Sequence, residues 1–103
     1  MPPQSLESLR LAFKRAFSNY YLQLVSPGIA DPTEAFATAE VYLRALKEQL
    51  GEVQFYRRLD EVTTDLLGHL EQDLRRPLRE RGVSIDREDL EQRLRECLEH
   101  GLA

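Results

Sequence analysis

The chain predicts an all-α fold: a compact up-down helical bundle of three long helices plus a shorter C-terminal helix, with a proline kink near residue 77. Three observations carry this reading. Apolar residues recur at steps of three and four, which places each set on one side of a helix. Cap and stop residues punctuate those sets at helical lengths. Finally, 103 residues with 42% hydrophobic content suffice for one core without disulfides or metal. Residues 1–103 are therefore expected to form a single helical-bundle domain.

The first stripe is Leu6, Leu9, Phe13, Ala16/Phe17, Tyr20 and Leu24. Pro2 and Pro3 keep its helix from starting earlier, Ser5 is placed to cap it, and Ser26-Pro27-Gly28 stops it after Val25. The second stripe is Phe36, Ala39, Leu43, Leu46 and Leu50, opened by Asp31 as N-cap, Pro32 at the first helical position and Glu34 at the third, and closed by Gly51. Only a residue or two then precedes the third stripe, Phe55/Tyr56, Leu59, Val62/Thr63, Leu66, Leu70 and Leu74, so these two helices are expected to be antiparallel neighbours. Within the third helix Gly68 costs about 1 kcal/mol relative to alanine unless close packing requires it. Pro77 removes a backbone donor, and a kink or break is expected around Arg76. Gly82 closes the segment, and Val83-Ser84-Ile85 reads as extended. The last helix opens at Asp86, with Ile85 and Leu90 as a hydrophobic staple, and ends at Gly101.

Two helices depart from the simple pattern. The first carries Leu11, Tyr21, Leu22 and Val25 in addition to its core stripe, too much apolar circumference for a helix with one wet side. It is expected either to be central in the bundle or to be covered in part by another chain. These four residues are the predicted partner-binding patch, with Tyr21 at its rim, whereas Tyr20, Tyr42 and Tyr56 read as core-edge residues. The last helix shows only Leu90, Leu94, Cys97 and Leu98 against a charged surface, so it is the element expected to swing or to dock on a partner.

Charge is segregated along the chain. The net charge of −4 hides a surplus of two positive charges in residues 1–30 (Arg10, Lys14 and Arg15 against Glu7) and two negative charges in residues 31–51, which makes the first two helices complementary. Residues 52–74 are acidic. The basic cluster that follows, Arg75, Arg76, Arg79 and Arg81, is a candidate phosphate-binding corner, because arginine grips phosphate bidentately. The competing reading is that these side chains favour a helix C-terminal dipole and pair with the acidic last helix. An acidic chain with one short basic patch does not read as a general nucleic-acid binder.

Catalytic and metal chemistries find little support. Cys97 and His100 sit at a spacing able to share a metal, but no second Cys/His pair completes a zinc set. His69 lies in the row Glu61, Asp65, His69, Asp73, which reads as a solvated acidic flank. No Gly-rich phosphate loop, nucleophile elbow or His-Glu motif occurs. No cofactor is implied. One cysteine, the absence of a basic and apolar leader after Met1, and the lack of any long apolar run point to a cytoplasmic protein with no membrane partner. The expected function is that of a small non-enzymatic protein acting by protein–protein interaction, as an adaptor, assembly factor or inhibitor, with a second copy of itself as one candidate partner. The alternatives are an accessory subunit of a nucleoprotein complex touching phosphate through Arg75–Arg81, and a small metal or redox protein using Cys97 and His100.

Overall fold

The computed structural model describes residues 5–102. Four helices, α1 (Leu6–Leu24), α2 (Thr33–Leu50), α3 (Glu52–Glu80) and α4 (Arg87–Leu102), make up most of them, with no strand among the described residues. Pro2 and Pro3 lie outside the described residues. Ser5 caps α1, its Oγ accepting from the Ser8 N–H at 3.1 Å. Asp31 Oδ1 accepts from both the N–H and the hydroxyl of Thr33, so it caps α2 although the helix starts one residue later than expected, with Pro32 in the cap. The α2–α3 link is Gly51 alone. Its φ of 82° is a conformation L side chains rarely adopt, its N–H donates to the Lys47 carbonyl at 2.8 Å, and its own carbonyl accepts from the Phe55 N–H at 2.9 Å. One residue thus ends one helix and starts the next.

Of the kink or break expected around Arg76, no break occurs in α3. It runs through Pro77 to Glu80. The missing proline N–H leaves one carbonyl, that of Asp73, without its helical partner, and Asp73 is exposed, where water can serve it. The stop comes later. The N–H of Gly82 donates to Arg79 and that of Val83 to Leu78, the paired bonds of a Schellman cap, with φ of 72° at Gly82. After residues 83–86, which form no regular structure, Asp86 Oδ1 accepts from Glu88 and Asp89 N–H groups at the start of α4.

One core cluster runs through all four helices: Phe13, Phe17 and Tyr21 from α1, Ala39, Leu43 and Leu46 from α2, Phe55 through Leu78 from α3, and the whole apolar side of α4. The buried hydroxyl of Thr63 is satisfied within its own helix by the Leu59 carbonyl at 2.8 Å. The central element is α2, not α1 as its apolar girth suggested; α2 packs most extensively on both α1 and α4. Alanines at 35 and 39 let neighbouring backbones close in on it. At 29 residues α3 rises about 43 Å, matching the 42 Å long dimension of the molecule, and it touches each other helix in turn.

The apolar side of α4 is fully covered. Leu90, Leu94, Cys97 and Leu98 are all buried, and two exposed ion pairs link the outside of α4 to α3, Arg87 to Glu71 at 2.9 Å and Arg95 to Asp60 at 3.8 Å. As the α4 number rises the α3 number falls, so the two helices are antiparallel. The charge complement expected between α1 and α2 falls elsewhere: Lys14 of α1 pairs with Asp73 of α3 at 3.3 Å.

Gly101 does not end α4 but lies within it, against α2. A Cβ there would stand 3.0 Å from backbone atoms of Ala39 and Glu40. Gly68 in α3 is the opposite case, with nothing within 4 Å of its Cβ position. The two alanine substitutions are therefore expected to differ in sign. Gly68→Ala should stabilise by about 0.5–1 kcal/mol through helix propensity, while Gly101→Ala should destabilise by about 1–3 kcal/mol through overpacking against backbone. Urea titrations of the two variants check this, and equal shifts would mean that α4 does not approach α2 as described.

Candidate functional site

The predicted patch on α1 does not form one surface. Phe13, Phe17 and Tyr21 recur every four residues, and this aromatic row enters the core. Tyr21 is therefore 2% exposed instead of at a rim; it stacks on Phe17 and donates its hydroxyl to Asp89 Oδ2 at 3.0 Å. Loss of solvent, and then the Asp89 carboxylate, push the Tyr21 phenol up to about 12. Leu11 and Leu22 do share a side of α1, but eleven residues apart, about 16 Å along the axis. Leu22 and Val25 are half-buried against the core, and Leu22 faces a cleft whose other wall is the Pro27–Ile29 segment. Only Leu11, 45% exposed, stands clear.

The four arginines of the basic cluster are likewise divided. Arg76 pairs with Glu80 at 3.4 Å on its own helix, and Arg81 donates to the Pro77 carbonyl at 3.0 Å, on the side facing the α1–α2 connection. Arg75 and Arg79 instead line an open cleft of about 420 Å³ between the end of α3 and the start of α4. Arg87, which lies outside the cluster in sequence, is the third arginine of that cleft. The expected pairing of the cluster with the acidic last helix is not what forms: Glu71, on α3 itself, meets Arg75 at 3.9 Å and Arg87 at 2.9 Å.

Cys97 and His100 stand in different environments. The thiol is fully buried, and burial followed by the Glu96 charge pushes it up to about 11, so it is held as the neutral, unreactive form. The imidazole of His100 is exposed and stacks on Phe36 of α2 in the last turn of α4, ring centroids 4.0 Å apart and nearly parallel. His69 is exposed on α3 beside Gly68. No group of three or more His, Cys, Asp or Glu is placed to hold a metal ion among the described residues. No helix there is long and apolar enough to cross a membrane.

What sequence reasoning missed is apolar surface at another corner. Val53 is 72% exposed and Tyr56 52% exposed, one turn apart on the first turns of α3. Of the two aromatics there, Phe55 takes the core position, and a rotation of about 100° turns Tyr56 outward, so Tyr56 and Tyr21 exchange the roles expected of them. Lys47 lies over the Tyr56 ring, 5.4 Å from its centroid, and the ring forms one wall of a 180 Å³ indentation that reaches Phe55 and Leu102. Ile29, in the α1–α2 connection, and Val41, on α2, are also exposed.

The chain has no match among family models, curated proteins or solved structures. Fold and surface define it as a small acidic four-helix protein with an apolar corner at the α2–α3 link and an arginine-lined cleft at the other end of α3.

Proposed function

We propose that this is a non-enzymatic, cytoplasmic helical protein that acts by binding another protein, a second copy of itself included, through the corner where α2 meets α3. The observation that carries this is the pair Val53 and Tyr56. Two large apolar side chains are adjacent and outward, on a helix start fixed by the single-residue Gly51 link. Tyrosine is one of the side chains enriched at the energetic centres of protein interfaces. The indentation beside it, lined by Leu43, Phe55 and Leu102 together with Glu40, Arg44 and Lys47, is of a size to receive one side chain of a partner.

The test is the solution mass of the purified chain, alone and with proteins recovered from its native lysate, for wild type and Val53→Glu. A glutamate in the first turn of α3 suits the helix dipole, so the variant is expected to stay folded. Association should fall about tenfold, the loss of one central contact of about 1.4 kcal/mol. A folded variant whose mass and recovered proteins are unchanged would remove this corner from the reading.

A further inference from the structure

The cleft between the end of α3 and the start of α4 combines charge and apolar surface in one place. Arg75, Arg79 and Arg87 line it, half-buried Val83 and Ile85 contribute apolar wall, and Glu71 is its one carboxylate. Three guanidiniums against one carboxylate leave two positive charges in surplus, on a chain whose net charge is −4. Glu71 is engaged with Arg75 and Arg87, Glu80 with Arg76, and Arg79 has no carboxylate partner among the described residues.

We infer that this cleft recognises an acidic segment of a protein partner, seating its carboxylates on Arg75, Arg79 and Arg87 and a neighbouring apolar side chain on Val83 and Ile85. Guanidinium forks bind carboxylates in paired, charge-assisted hydrogen bonds, and side chains spaced by one turn on α3 offer two such forks in line. The apolar wall gives a peptide side chain somewhere to go. An extended polyanion fits less well. No aromatic ring lines the cleft for a base to stack on, and exposed carboxylates at Glu80, Asp86 and Glu88 adjoin its arginines in sequence. Glu71 acts as an internal competitor. It holds the arginines in place when the cleft is empty and must yield Arg87 to an incoming carboxylate.

The cleft lies about 30 Å from the Tyr56 corner along α3, so the two surfaces fail or succeed separately. The experiment is fluorescence anisotropy with a labelled short peptide carrying two adjacent glutamates between leucines, at low and at physiological salt. Circular dichroism melts of each variant check the fold. Saturable binding that weakens with salt is expected. Arg79→Gln should weaken it about tenfold, as loss of a charged hydrogen-bond pair does. Arg76→Gln, the same charge change outside the cleft, should leave it unaltered, and Glu71→Gln should tighten it by freeing Arg75 and Arg87. Absence of saturable binding, equal losses in Arg76→Gln and Arg79→Gln, or no tightening in Glu71→Gln would each overturn the inference. So would displacement of the peptide by an equally charged single-stranded oligonucleotide, in that case in favour of phosphate contact. Val53→Glu should bind the peptide as wild type does, whatever it does to association.

Discussion

Truncating Leu94 to alanine is expected to lower the stability of the whole protein by about 2–5 kcal/mol. Leu94 is fully buried at the middle of the short apolar side of α4, with Leu90, Cys97 and Leu98 around it and α2 beneath. Its methyl groups have no solvent to return to, and the surrounding helices can collapse into the gap only in part. Each kcal/mol corresponds to about 4–8 °C of melting temperature in a domain near 100 residues, so the variant should melt more than about 10 °C below wild type. The transition should remain single, because the core cluster joins α4 to all three other helices. Urea or thermal denaturation followed by circular dichroism measures both quantities. A loss below about 1 kcal/mol, or an early separate melting of a small part of the helical signal, would show α4 to be a detachable arm and would restore it as a docking element.

The contrast between sequence and structure at α4 has a physical cause. Four apolar residues in a charged helix look like a weak anchor when counted, but burial depends on the surface they meet. The side of α2 that meets α4 carries Ala39, and Gly101 brings the backbones together, so these few side chains are covered completely. Helix existence and order, and most boundaries to within a residue, were legible because each is set locally: Ser5, Asp31, Gly51, Gly82 and Asp86 all act on backbone groups close to themselves in the chain. Which helix is central was not legible. That depends on small residues permitting close approach, and the apolar girth of α1 pointed the other way.

The candidate surfaces were legible only in part, for a similar reason. Residues one turn apart on one helix can be placed by rotation, so Arg75 and Arg79 could have been set apart from Arg76 and Arg81, but all four were expected to form one corner. Arg87 reaches the same cleft because Gly82 reverses the chain and α4 returns antiparallel, which no spacing rule within a helix reports. Tyr21 illustrates the converse. It was expected to lie off the α1 stripe, yet it is buried, stacked on Phe17 and bonded to Asp89, 68 residues away. The row Phe13, Phe17, Tyr21 was the signal that could have placed it.

Raising the pH from neutrality to 12 is expected to remove a large part of the stability, beginning near pH 9. The groups responsible are buried neutral acids: Cys97, moved from an ordinary 9.0 up to about 11, and Tyr21, moved from 10.0 up to about 12. Burial is the first cause in both, reinforced by Glu96 for the thiol and by Asp89 for the phenol. Between the ordinary and the raised value the unfolded chain gives up its proton while the native chain keeps it. Folding then releases no charge to solvent but must take up a proton, so stability is complete below about pH 9 and falls as pH rises through 11 and 12. Each group moved by about two units corresponds to about 3 kcal/mol. The two contributions have the same sign over overlapping windows. Tyr20 and Tyr42, also raised by burial, act in the same direction. Urea titrations at a series of pH values, read beside tyrosinate absorbance, measure the fall. Tyr21→Phe should cost about 1 kcal/mol at neutral pH through the lost bond to Asp89, and then lose less than wild type between pH 10 and 12. A wild-type stability that is level across this window, or a Tyr21→Phe profile parallel to wild type, would mean that Tyr21 is not enclosed against Asp89.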